Sequence, residues 1–235
     1  MHNEILDRER LIFALDVPSP SEAKTLVEEL GNSVCFFKLG LELFMADGYF
    51  GLVDWLRQQG KKIFVDLKFF DVPATVGRAV KQLSGRGITF ATIHGNDAMM
   101  RAAVDSKGDV MILAVTVLTS LDRSDLDDLG FDCEVETLVL SRARRAVEYG
   151  CDGVVASGHE LRSLRAALGD RFLIVTPGIR PVDNDDDQKR VVTVPQAFAN
   201  GADYIVVGRP IRDAEDPRGV AESIQKQIKQ AVNTE

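Results

Sequence analysis

The chain reads as an α/β protein folded as a single (β/α)8 TIM barrel over residues 1–235, and three observations predict this. Apolar, strand-forming runs alternate with amphipathic helical segments at a spacing of roughly 25–30 residues, eight times in succession. The strand runs are continuously apolar rather than alternating, as suits a parallel sheet covered on both faces. Eight such units in 235 residues match the usual size of a (β/α)8 barrel, and no linker or break in composition divides them. A doubly wound open sheet is the alternative, but no Gly-x-Gly-x-x-Gly turn follows the first strand.

Taken in order, Leu11-Ile-Phe-Ala-Leu-Asp16-Val is a buried strand ending in a carboxylate. Ser19-Pro20-Ser21-Glu22 has the form of a capping box with proline at the first helical position. The helix it opens carries Ala23, Leu26, Val27 and Leu30 on one face, and Gly31 stops it. Val34-Cys-Phe-Phe-Lys38-Leu-Gly40 is the second strand, and the next helix is marked by Leu52, Val53 and Leu56 and closed by Gly60. Strand three begins at Ile63-Phe-Val, and its helix spans 73–83. Strand four is 88–95, with Asn96 capping a helix through Val104. Strand five is 110–118, followed by a polar stretch at 119–132 and a helix at 135–149. Strands six, seven and eight fall at 153–157, 172–178 and 204–209, with helices at 160–168, 195–199 and 216–232.

A net charge of −8 argues against general affinity for nucleic acid or anionic membranes, while leaving room for a local basic site that takes an anion. Three widely spaced cysteines, Cys35, Cys133 and Cys151, form no CxxC or zinc pattern, so reduced and mostly buried thiols are expected. The charged N-terminus is not a signal peptide, and the longest apolar run is too short to cross a bilayer, so a cytoplasmic protein is expected.

The chemistry concentrates in Ile63-Phe-Val-Asp66-Leu-Lys68-Phe-Phe-Asp71-Val-Pro-Ala-Thr75. Period-two geometry puts Asp66 and Lys68 on one face of the strand, and Asp71 follows where Asp-Val-Pro breaks it. A solvated ion pair is the plain alternative. The surrounding Val65, Leu67, Phe69, Phe70 and Val72 oppose it, because charges among them are partly buried and must be paired. The other strand ends carry Asp16, Lys38, His94, Thr119 with Ser120, Pro177-Gly178 and Gly208-Arg209, and a barrel gathers its strand ends at one rim. Gly178 and Gly208 allow close backbone approach where barrels commonly bind phosphate, with Arg180 and Arg209 as bidentate donors. The run Asp183-Asn-Asp-Asp-Asp187 lacks the glycine and distal glutamate of a calcium loop and reads as solvated.

The stretch Asp66-Leu-Lys-Phe-Phe-Asp-Val-Pro-Ala-Thr75 resembles the signature of the orotidine 5′-phosphate decarboxylase family, and the similarity spans nearly the whole chain. Ala14-Leu-Asp16, Phe37-Lys38-Leu-Gly40, Val117-Leu-Thr-Ser120, Thr176-Pro-Gly-Ile-Arg180, Asp187-Gln188 and Val207-Gly-Arg209 fall in that family's order. Asp-x-Lys-x-x-Asp alone marks a wider superfamily of phosphosugar barrels; Arg180, Gln188 and Arg209 narrow it. Ala74 departs from a frequent asparagine.

The resemblance implies loss of CO2 from orotidine 5′-monophosphate, with Lys68, Asp66, Asp71 and Lys38 as catalytic residues. The lack of any ligand cluster suited to a metal predicts that the reaction is cofactor-free and metal-free. The resemblance also implies that Lys38, Asp66 and Asp16 meet the ribose, that Thr119 and Ser120 face the pyrimidine, and that Arg180, Gln188, Gly208 and Arg209 hold the phosphate, with the 180–190 segment closing over it. It further implies a homodimer in which Asp71 and Thr75 enter the neighbouring subunit's site.

Three other chemistries fit parts of the pattern. A magnesium-dependent phosphosugar aldolase or decarboxylase would lose activity to a chelator. A Schiff-base aldolase would use Lys68 or Lys38 as nucleophile, but flanking aspartates favour the ammonium over the free amine. A non-catalytic phosphate-binding module would be expected to keep Gly208-Arg209 and lose the Asp-Lys-Asp cluster, and both are kept here.

Overall fold

The computed structural model describes residues 5–94, 96–180 and 191–233. Eight parallel strands close into a barrel: β1 (Leu11–Ala14), β2 (Phe36–Leu39), β3 (Lys62–Phe69), β4 (Phe90–His94), β5 (Met111–Val115), β6 (Gly153–Val155), β7 (Leu173–Thr176) and β8 (Tyr204–Val207). Each pairs with its successor, and β8 returns to β1 through Leu11↔Ile205, Ile12↔Val206 and Phe13↔Val207. The (β/α)8 architecture expected from the strand spacing is the one observed.

Several helices begin at a side-chain cap, from Ser19, Asn96, Thr193 and Asp216. In α1 (Pro20–Leu30) the Ser19 hydroxyl accepts a hydrogen bond from the Glu22 amide at 3.2 Å, and proline fills the first helical position. The other helices expected from the sequence are α3 (Tyr49–Gln58), α4 (Pro73–Lys81), α5 (Asp97–Ser106), α7 (Val135–Glu148), α8 (Leu161–Leu168), the short α9 (Val194–Ala199) and α11 (Pro217–Val232). Eight helices were expected, and the described residues hold eleven. The additional ones are α2 (Leu41–Met45), α6 (Arg123–Asp128) and α10 (Arg209–Arg212). At four to six residues they are too short for a 3.6-residue period to register. Of the three only α6 has a side-chain cap, the reciprocal Asp122–Asp125 capping box, while α2 and α10 start from Gly40 and Gly208 without one.

Strand alternation divides the core in two. Leu11, Phe13, Phe37, Leu39, Ile63 and Val65 face the helices. Ile12, Ala14, Phe36, Phe64, Phe90, Leu113, Leu173, Val175, Tyr204 and Val206 fill the barrel interior. Within it, Phe90 lies 5.1 Å from Phe36, 5.8 Å from Phe64 and 5.2 Å from Tyr204 between ring centroids. Each buried ring contributes roughly 1.5–3 kcal/mol by leaving water, and together they plug the barrel beneath its carboxyl-terminal mouth. Gly153 is required here, because a Cβ on it would lie 2.4 Å from the Leu173 carbonyl oxygen and 2.9 Å from Leu113 Cδ2.

Among the described residues no helix is long and apolar enough to cross a membrane. The cysteines are free, but only Cys151 is buried, so the expectation of mostly buried thiols is corrected. Cys35 precedes β2 at the barrel's lower edge, where its thiol donates to the Arg8 carbonyl at 3.1 Å.

Candidate active site

The interior phase of the strands continues upward and changes character. Two residues beyond Phe36, Phe64 and Phe90 stand Lys38, Asp66 and Thr92, which period-two geometry turns into the same barrel mouth. Lys38 Nζ lies 3.1 Å from Asp16 Oδ1 and 3.5 Å from Asp66 Oδ2. Lys68 Nζ lies 3.0 Å from that same Asp66 oxygen. Asp16, Lys38, Asp66 and Lys68 therefore form one alternating ionic chain around a carboxylate that is only 8% exposed.

Burial alone would raise the Asp66 pKa, but Lys38, Lys68 and hydrogen bonds from Lys68 and Thr92 outweigh it and hold the carboxyl below its usual range. Burial likewise opposes the charge on Lys38, and Asp66 and Asp16 reverse that, leaving its pKa raised. Both groups are thus charged at neutral pH.

Lys68 reaches this position by a distortion that the strand period does not encode. Between Val65 and Phe69, β3 spends four residues on the two steps that carry β4 from Ala91 to Ile93. Lys68 sits inside this bulge with φ 47, the only non-glycine residue with positive φ among those described. For a lysine this costs on the order of 1–3 kcal/mol, and such strain persists only where its surroundings fix it. The Lys68 amide donates not to the ladder but to Thr92 Oγ1, at 2.9 Å. Asp66 and Lys68 do meet as the spacing suggested, but through a bulge rather than a regular pleat.

Above this cluster opens a cavity of about 400 Å³. It is lined by Asp16, Lys38, Asp66 and Lys68, by Pro177, Gly178, Arg180, Gly208, Arg209 and Arg212, and by Thr119 with the apolar Val115, Val117, Leu118 and Val155. The size and the mixture suit a small ligand with an anionic end. Gly178 adopts φ 76, which other residues rarely accept, where the chain turns from β7 toward Arg180. Arg180 is buried, with Nη1 donating to the Ile179 carbonyl at 3.0 Å and its amide to Val192 at 3.1 Å.

The remaining expected site residues are placed differently. Asp71 is exposed, and its carboxylate accepts from the Val72 amide at 2.6 Å rather than meeting Lys68. Thr75 is half-buried on α4 and accepts from Arg78 at 3.1 Å. Ser120 is exposed beyond the cavity wall. His94 ends β4 with its ring 5.7 Å from that of Phe70, its pKa lowered by burial and by Arg142 and Lys68. Gln188 and the acidic run 183–187 lie outside the described residues. Among the described residues no group of three or more His, Cys, Asp or Glu side chains could hold a metal ion.

Two residues of the site, Thr92 buried behind Asp66 and Arg212 on the cavity lining, were not anticipated. Thr92 was readable from its phase two residues after Phe90, but a threonine inside an apolar run passes as a strand former. Arg212, one helical turn beyond Arg209, donates to the Asp16 carbonyl at 2.8 Å and ties α10 to the end of β1.

Residues 9–224 match the family described as orotidine 5′-phosphate decarboxylase / HUMPS. The orotidine 5′-phosphate decarboxylase of Methylococcus capsulatus is 67% identical over 94% of this chain and 92% of its own length. That of Stenotrophomonas maltophilia is 52% identical over 96% and 95%. The crystal structure of the Lactobacillus acidophilus enzyme of the same name superposes with a TM-score of 0.83 at 36% identity, covering 94% of this chain and 99% of that one.

Proposed function

Since the chain belongs to the orotidine 5′-phosphate decarboxylase / HUMPS family, we propose that it converts orotidine 5′-monophosphate to UMP and CO2 with Lys68 as the group that stabilises and then protonates the carbanion at C6. The carboxy-lyase activity, a step of pyrimidine biosynthesis, follows from that membership. The observation that carries the assignment to Lys68 is its ammonium, 3.0 Å from the buried Asp66 carboxylate at the cavity wall.

Loss of CO2 leaves an electron pair at C6 with little delocalisation. A cation already in place stabilises that charge without reorganising, and the same ammonium can deliver the proton that completes UMP. Asp66 orients the donor and lies where the departing carboxylate would feel repulsion. In this reading Lys38, Asp16 and Asp66 bind the ribose hydroxyls, Thr119 and Ser120 face the pyrimidine, and Gly208, Arg209, Arg180 and Gln188 hold the phosphate. Phosphate binding with closure of segment 180–190 would then be expressed as transition-state stabilisation.

The enzyme is further proposed to act as a cytoplasmic homodimer. Support comes from Leu41, Met45, Phe70 and Val72, which are 57%, 81%, 70% and 62% exposed. Phe70 and Val72 flank Asp71, so covering them with a second copy would carry that carboxylate into a subunit contact.

The direct test mixes purified protein with orotidine 5′-monophosphate in excess EDTA and follows the loss of substrate absorbance. Undiminished turnover is expected, because Lys38 already occupies the place between Asp16 and Asp66 that a cation would take. Activity abolished by EDTA and restored by magnesium would instead support the phosphosugar aldolase reading, which the names of the relatives do not favour.

The phosphate assignment has its own test. Arg209→Ala should weaken kcat/KM for orotidine 5′-monophosphate by about 100-fold or more, as befits a charge-assisted contact of several kcal/mol. On the nucleoside lacking phosphate the change should be under about threefold, and equal losses on both substrates would place Arg209 elsewhere.

A further inference from the structure

The bulge in β3 raises a question of local chemistry: what holds Lys68 in a backbone conformation that lysine disfavours? The register shift removes the Lys68 amide from the β3–β4 ladder, and the acceptor it finds is Thr92 Oγ1 at 2.9 Å. A main-chain N–H can only donate, so the threonine hydroxyl must accept there and has its own proton left to give. That proton goes to Asp66 Oδ1, also at 2.9 Å. The other carboxylate oxygen, Oδ2, meets Lys68 Nζ at 3.0 Å and Lys38 Nζ at 3.5 Å. Thr92 is wholly buried.

We propose that Thr92 is a positioning residue for decarboxylation, its hydroxyl locking the Asp66 carboxylate and the Lys68 main chain into a single hydrogen-bonded unit. This rests on the reading of Lys68 as proton donor. Asp66 is gripped at both oxygens, so its plane cannot rotate, and Lys68 is gripped at both ends, by Thr92 at its amide and Asp66 at its ammonium. A valine would match threonine in volume and strand preference. It would leave the Lys68 amide and Asp66 Oδ1 without these partners in a buried place. The bulge would then be free to relax, and a misplacement of about 1 Å is enough to cost about 100-fold in rate.

The test compares wild-type protein with Thr92→Val and Thr92→Ser. In the valine variant kcat should fall by about 10- to 100-fold, with KM for orotidine 5′-monophosphate within about threefold, because the phosphate grip is untouched. Losing the donor raises the Asp66 pKa, so protonation sets in earlier on acidification and the acid limb of the kcat–pH profile should move to higher pH. Serine keeps the hydroxyl and should restore both kcat and the limb. Equal losses in the two variants with an unmoved limb would show a packing role and overturn the proposal, as would a valine variant within about twofold of wild type. If the valine protein does not fold, hydrogen exchange at the Lys68 amide of the wild type decides. Protection well above that of exposed loops supports the bond to Thr92, and its absence overturns it. Wild-type protein that leaves the substrate unchanged would count against the proposed reaction, whereas the exchange result speaks to Thr92 alone.

Discussion

Lys68→Ala should lower kcat on orotidine 5′-monophosphate by about 10^4-fold or more, since one side chain is assigned both the charge stabilisation and the proton transfer, each worth about 10^2-fold or more. Binding of UMP should change by less than about tenfold, because ground-state affinity is assigned to the phosphate grip. The fold should survive the change. Asp66 keeps Lys38 at 3.5 Å and Thr92 at 2.9 Å, so no buried carboxylate is orphaned. Alanine adopts φ 47 at much the same cost as lysine. Single-turnover measurement of product with a thermal melt checks both halves. Turnover within about tenfold of wild type, ~1.4 kcal/mol in barrier height, would remove Lys68 as the proton donor.

The parts of this molecule that were legible in the sequence are those that repeat or that carry charge into apolar surroundings. Continuous runs such as Leu11-Ile-Phe-Ala and Tyr204-Ile-Val-Val announce a doubly covered parallel sheet. Asp16, Lys38 and Asp66 stood out because charges ending apolar strands need partners, and the structure makes them each other's partners. Less legible was whatever depends on tertiary register. The β3 bulge is a relation between two strands, and nothing in Val65-Asp-Leu-Lys-Phe69 specifies it without Ala91 and Ile93 alongside. Thr92 was hidden for the converse reason, since its functional atom is one hydroxyl on a side chain that also suits a strand. The short helices α2, α6 and α10 lie below the length at which periodicity speaks. Asp71 and Thr75 are a third kind of case: adjacent in sequence to Lys68, they do not line the cavity of their own chain.

That placement leads to an expected result for two inactive proteins. Asp71 lies just past β3, exposed between Phe70 and Val72, with its carboxylate turned to the Val72 amide. If a two-fold interface covers this segment, each site combines Lys68 from one chain with Asp71 from the other. Lys68→Ala and Asp71→Asn proteins, each nearly inactive alone, are mixed under conditions that allow subunits to exchange. In a hybrid dimer one site then carries both defects, while the other unites an intact Lys68 with an intact Asp71. Each hybrid should therefore recover about half the turnover of a wild-type dimer, one good site of two. Tagging one partner isolates the hybrid and confirms exchange independently of activity. Hybrids that form and stay inactive would mean that Asp71 serves the site of its own chain, reaching it by a rearrangement of the segment after Phe69. Recovery near one half would place the second aspartate across the interface, because no arrangement confined to one chain can rebuild a complete site from these two parents.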